Sequence, residues 1–292
     1  MRLSIRNEWL SFIAAGCAAA GKPVWGSIQS VADSGSNDTS RNIIGGEPAF
    51  NGEFPHHVAV FLNSEYKSGG IILDERHVLL TAYSFYSKRK GQESAEDYTV
   101  VAGMWRTGKL DTGSQVRGVV DFITHPKWNI ESFAAPNMAV LRVDSDFTFN
   151  RYVQPATLVK TRDEERRLRK IGDCAMVGFG CTNYEEKTFP KRLRKIEELT
   201  LPNYQTCNAF VEKFGGMSTN QMCSYNPPKS LCLLDEGGAL VCRKPNTGDQ
   251  VVISVASFSI DPPREFGLTY YSRVYRFRKW INRVVVRLEE RA

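Results

Sequence analysis

Past its first twenty residues the chain has no stretch long and apolar enough to cross a bilayer, which excludes a later transmembrane anchor. Histidine is scarce. His56, His57, His77 and His125 are the four copies in 292 residues, and no Cys-x-x-Cys pair accompanies them. Those two absences speak against a structural metal site, and no motif implies a cofactor. Basic residues exceed acidic ones, 38 against 32 for a net charge of +6, but no nucleic-acid-binding motif stands behind the excess. What is present is globular in character: 42% hydrophobic residues, 11% aromatic residues and 23 glycines. That content suffices for a substantial core in one large β domain or two small ones.

Residues 1–20 place Arg2 and Arg6 ahead of roughly twelve mostly apolar residues and close on the small residues Ala18 to Ala20. The pattern predicts a signal peptide, with an N-terminal anchor as the alternative, and hence a secreted, extracellular chain. Cys17 lies in that signal. Cys174, Cys181, Cys207, Cys223, Cys232 and Cys242 remain, an even set suited to an oxidising compartment. Residues 21–42 are rich in Ser, Gly, Asn and Asp and read as a flexible linker or pro-segment. It holds the chain's one N-x-S/T sequon, which makes Asn37 a glycosylation candidate.

From residue 43 onward, short apolar or β-branched runs recur between turn residues, among them HVAVFL at 57–62, YTVVAG at 98–103, MAVLRV at 138–143, CAMVGFG at 174–180 and VVISVASF at 251–258. Several short strands at such spacing, with few helical patterns between them, predict antiparallel barrels or sandwiches. Residues 274–289 differ: Val274, Phe277, Ile281, Val284, Val285 and Leu288 fall at helical steps, predicting an amphipathic helix with an arginine-rich outer face. The charge run KTRDEERRLRK at 160–170 shows no apolar face and reads as a solvated connector.

Residues 230–242, SLCLLDEGGALVC, set two adjacent carboxylates before a Gly-Gly turn. An acid/base site or a calcium corner would each use such a pair, but adjacent residues in a tight turn do not straddle one bond as glycosidase carboxylates do. Taken with IIGGEPAFNGEFPHHVAV from 43, SGGIILDERHVLLTAYSF from 68 and NMAVL from 137, the stretch resembles the chymotrypsin/trypsin-like serine proteases. The resemblance covers residues 43–285. It implies an all-β fold of two antiparallel six-stranded Greek-key barrels, at about 43–150 and 173–273, joined by a connector at about 151–172 and followed by the C-terminal helix.

Catalysis in that fold needs a serine nucleophile, a histidine base and a buried aspartate that holds the histidine's tautomer. By the resemblance these positions are Glu236, Ser84 and Asn137. All three are substituted. The glycine two residues before the nucleophile is Leu234, an altered oxyanion position. The floor of the specificity pocket is Ser230 and its walls are Ser259 and Thr269, so the slot is expected to be narrowed. An inactive homologue is therefore expected, with no catalytic residue.

The resemblance also implies the disulfides Cys174–Cys242 and Cys207–Cys223, while Ser68 and Phe85 replace the bridge beside the family histidine. Cys181 and Cys232 are expected to form a substitute bridge, with two free thiols as the alternative. Family members are cleaved ahead of the Ile-Ile-Gly-Gly segment, and the new ammonium pairs with the aspartate before the nucleophile, here Ile43 and Asp235. Asn42 separates Arg41 from Ile43, so a trypsin-like cut would leave one extra residue; the alternative is that Asp235 persists as a hydrogen-bonded turn residue without cleavage.

Proteins of this kind, notably in insects, serve as cofactors or decoys in extracellular protease cascades of immunity and reproductive fluids. The expected partner is thus an extracellular protein: a protease, a proenzyme or an inhibitor. The competing expectation is an anionic glycan or cell surface, met by Arg276, Arg278, Arg283 and Arg287 together with the basic stretch 191–195.

Overall fold

A computed structural model describes residues 46–87, 91–181, 189–260 and 267–291. The expected signal segment, the linker with Asn37, and Ile43 lie outside the described residues. In chain order the strands are β1 (Glu47–Pro48), β2 (His57–Leu62), β3 (Glu65–Ile72), β4 (His77–Leu80), β5 (Tyr86–Ser87), β6 (Gly91–Gln92), β7 (Tyr98–Ala102), β8 (Gln115–Thr124) and β9 (Ala139–Val143). There follow β10 (Cys174–Gly178), β11 (Arg194–Ile196), β12 (Gln221–Tyr225), β13 (Ala239–Arg243), β14 (Gln250–Ser259) and β15 (Leu268–Arg273). Among the described residues three helices, α1 (Arg162–Ile171), α2 (Tyr204–Val211) and α3 (Val274–Glu289), accompany these strands, with short 3-10 turns.

The first half closes on itself as an antiparallel barrel in the order β2-β3-β4-β9-β8-β7. Closure leaves no unpaired edge. Its interior is apolar, with Val58, Val60, Ile72, Val78, Leu80, Val100, Leu141 and Val143 all buried. The second half is a seven-stranded sheet ordered β1-β11-β10-β13-β14-β15-β12. Where a second closed six-stranded barrel was expected, the described residues form one closed barrel, this larger sheet and a two-stranded β5-β6 ladder, and one end strand of the larger sheet is β1 from the start of the domain, pairing Glu47 with Lys195.

Helix α3 buries Val274, Phe277, Ile281, Val284 and Leu288, the stripe read from the sequence. The connector has more structure than the sequence reading gave it. Residues 162–171 are helical and exposed over most of their length, and the hydroxyl of Thr161 caps the helix by accepting from Glu164 N at 3.1 Å. Its inner face consists of Leu168 and Glu165, both buried. Glu165 accepts from both Nε and Nη2 of Arg273, the latter at 2.7 Å, at the end of β15. A face made of one leucine and one ion-paired carboxylate carries no apolar period, so it is invisible to a pattern search.

The three disulfides join Cys174 to Cys242, Cys207 to Cys223 and Cys181 to Cys232. The first ties β10 to β13 at directly opposed residues, and the third fastens the turn that carries Asp235 and Glu236 to the segment after β10.

Candidate functional site

Strand β4 runs out at Leu80 and the chain tightens into a 3-10 turn, Ala82–Phe85. Ser84 sits in this turn, 1% exposed, with its Oγ 2.9 Å from Thr81 Oγ1. Its carbonyl accepts from Tyr98 Oη at 2.8 Å, which fixes it from behind. The neighbouring Phe85 stacks on Phe122 with ring centroids 3.7 Å apart. Apolar packing thus occupies the place where the resemblance implied a half-cystine.

Asn137 lies just ahead of β9 and ties three segments together. Its Oδ1 accepts from Tyr83 N at 2.9 Å, and its Nδ2 donates to Ser257 Oγ at 3.0 Å on β14. Both bonds use the carboxamide's two ends in their proper senses. An aspartate would leave the second bond to the serine hydroxyl as donor.

The turn before β13 holds Glu236, whose carbonyl accepts from Gly69 N at 2.9 Å. Leu234 adopts φ +73°, in the left-handed region. Asp235 is fully buried; its Oδ1 accepts from Gly180 N at 2.6 Å and its Oδ2 from Cys232 N at 3.0 Å. Glycine is required at 178 and 180, since a β-carbon at either position would collide with this carboxyl. Burial pushes the Asp235 carboxyl up to about 7, against the two N–H donors that favour its charged form.

Asn137, Glu236 and Ser259 come together on one open cleft. Ser84 does not line it. Ser230 and Thr269 are buried at 2% and 1% exposure, and Thr269 Oγ1 accepts from Leu231 N at 3.3 Å. The aromatic residues of the cleft escaped the sequence reading: Tyr83, Trp128, Phe133 and Phe258. Trp128 and Phe133 come from 126–136, which has no period, so only its aromatic content distinguishes it. Burial first, then the neighbouring Glu236, pushes the Tyr83 hydroxyl up to about 12.

The four histidines all lie elsewhere. His77 Nδ1 is 2.8 Å from Asp74 Oδ1, and His125 packs against Phe277 and Trp280. His56 and His57 are buried beside Phe54 and Phe179. No imidazole therefore lines the cleft. Among the described residues no group of three His, Cys, Asp or Glu side chains is gathered to hold a metal ion.

The trypsin family model matches residues 43–281. The chain belongs to the trypsin family. Kallikrein-7 of Homo sapiens is 27% identical over 243 residues, covering 82% of this chain and 86% of the relative. A chymotrypsin-like serine proteinase of Haliotis rufescens is 27% identical over 257 residues, covering 84% and 92% respectively. Transmembrane protease serine 9 of Rattus norvegicus is 28% identical over 242 residues, which is 82% of this chain and 22% of that longer protein. The matched span includes Ser84, Asn137 and Glu236.

Proposed function

We propose that this trypsin-family chain is secreted and acts by binding an extracellular protein, without hydrolysing it. The observation that carries the reading is that no imidazole reaches the cleft in which Glu236 stands, and that the residue at the base position, Ser84, is buried against Thr81. A neutral serine hydroxyl does not take up a proton near pH 7, and a carboxylate at 236 carries charge where attack calls for an activated hydroxyl. Losing one triad member can leave a background rate, but here base, orienting group and nucleophile are all replaced. The three disulfides support an oxidising, extracellular setting. A protease, proenzyme or inhibitor is the partner class that a protease fold without its chemistry serves, as cofactor, decoy or regulator.

The glycan reading loses part of its basis. Within 191–195, Arg194 and Lys195 are buried, and Lys195 Nζ contacts Glu53 at 2.7 Å and Glu197 at 3.0 Å. The arginines of α3 and the exposed Lys191 and Arg192 remain to support it.

The test is labelling by a fluorophosphonate probe together with hydrolysis of a mixed peptide library, using the oxidised protein before and after cleavage ahead of Ile43. Neither labelling nor hydrolysis above a buffer control is expected. A turnover that survives Glu236→Ala would point to a contaminant, whereas turnover abolished by that change would sink the proposal.

A further inference from the structure

Outside the cleft, three segments are knitted together around one indole. Trp105 Nε1 donates to Ala49 O at 2.9 Å, Leu193 N donates to Trp105 O at 2.8 Å, and Thr107 N donates to Lys191 O at 3.0 Å. This pairing sets Arg106 directly opposite Arg192 in an antiparallel bridge. Like charges so opposed repel. Arg106 is compensated by the buried Asp111, whose Oδ1 accepts from its Nε at 2.6 Å while Oδ2 accepts from the backbone N–H groups of Trp105 and Arg106. Arg192 is not. Its guanidinium lies 5.1 Å from the centre of the Trp105 ring, and among the described residues no carboxylate pairs with it, with the exposed Lys191 next to it, or with the exposed Lys109 of the facing turn. A ring beneath a guanidinium holds its plane in place and leaves its fork of donors open, which suits capture of a carboxylate through two bonds.

Apolar surface adjoins these cations. Phe50, next in the chain to the Ala49 that the indole holds, is 75% exposed, and Leu110, next to Lys109, is 45% exposed. A row of sulfates would be met by charge alone, whereas a bare phenyl ring and a bare leucine beside the cations favour a peptide that carries apolar side chains among its carboxylates.

We infer that the surface formed by Phe50, Trp105, Leu110, Lys191 and Arg192 receives an acidic segment of a partner protein, its carboxylates on Arg192 and Lys191 and its apolar side chains on the exposed phenylalanine and leucine. This rests on the protein-binding reading above. None of these residues lines the cleft, so the contact stands whether or not the cleft is inert.

The experiment is titration of the oxidised full chain with an end-capped decapeptide of glutamates and serines around one leucine and one phenylalanine, and with the same peptide carrying glutamine for every glutamate. Binding about tenfold tighter for the glutamate peptide is expected. The preference should shrink with added salt, a readout that needs no variant. It should fall to within about twofold in the double variant Lys191→Gln, Arg192→Gln and stay intact in Arg283→Gln, Arg287→Gln, whose charges belong to α3. Equal binding of the two peptides, binding of neither, or a preference that follows the α3 arginines instead of Lys191 and Arg192 would overturn the inference. Equally tight binding of a peptide with serine in place of its leucine and phenylalanine would overturn it too, as would displacement by a sulfated hexasaccharide at lower concentration, which would make the surface one for glycans. Mass spectrometry of the recovered peptide separates two levels of failure. Intact peptide bound without charge preference defeats the inference alone, while cleaved peptide defeats the non-hydrolytic reading of the cleft.

Discussion

Leu234 holds a backbone conformation, φ +73°, in which its β-carbon crowds the following carbonyl, at a cost of roughly 1–2 kcal/mol that glycine avoids. Its side chain is only half-buried and recovers little of that cost by packing. Leu234→Gly is therefore expected to raise the unfolding free energy by about 1 kcal/mol, read as a higher urea midpoint at unchanged slope. A lower midpoint would show that leucine packing dominates. Leucine at this position and the polar side chains of Ser84, Asn137 and Glu236 stand in plain view in the sequence. What stayed illegible was direction. Nothing in the string YSF says that Tyr83 faces the cleft while Ser84 turns inward to Thr81, because that choice is made by the Asn137 bond to Tyr83 N from fifty-four positions away.

The same division holds among elements. Strands that are buried throughout, such as β9 and β10, were read correctly from their largely apolar runs, since burial of both faces writes itself into composition. Strand β8 was not, because Gly118 and Asp121 interrupt it and its exposed residues include Val116 and Val120, so neither face alternates cleanly. Helix α1 escaped for the reason already given: its buried face is ionic. Removing the charge there should be severe. Glu165→Gln leaves Arg273, 14% exposed, without its bidentate partner, and deleting one member of a buried pair typically costs about 3–5 kcal/mol. Thr161→Ala should cost about 1 kcal/mol by removing the helix cap. Chemical denaturation of the two variants gives the ranking. A Glu165 variant no worse than the cap variant would mean that Arg273 finds other acceptors, and that the helix is fastened chiefly by Leu168.

At the scale of the whole molecule, barrel and sheet meet across a seam that holds buried titratable groups of opposite tendency. His57, at the start of β2, lies 5.9 Å from Phe179 just past β10, and Phe179 in turn meets Tyr66 of β3. Asp235 lies beside them, raising the Tyr66 hydroxyl well above its usual range in addition to the larger effect of burial. Burial holds His56 down to about 4 and His57 to about 3, the latter also repelled by His56, and neither ring nitrogen of His57 has a hydrogen-bond partner among the described residues. As pH falls through about 6.5 the unfolded chain takes up protons at both histidines while the folded chain refuses them, so stability falls by roughly 1.4 kcal/mol per pH unit for each. Asp235 works the other way. Its folded value of about 7 lies above the carboxylate's ordinary 3.8, so the folded chain keeps a proton that the unfolded chain releases, and that contribution is lost as pH rises toward 7. Two histidines against one carboxyl leave a net dependence of about one proton across pH 4.5 to 6, in the direction of acid lability. The urea midpoint is accordingly expected to drop between pH 6.5 and 4.5, to flatten in His57→Phe, which removes one of the two rising contributions, and to steepen in Asp235→Asn, which removes the opposing one. A wild-type midpoint that holds steady or climbs on acidification would place the balance with Asp235, and would mean that protonating the seam's carboxyl contributes more to holding the two halves together than its buried histidines take away.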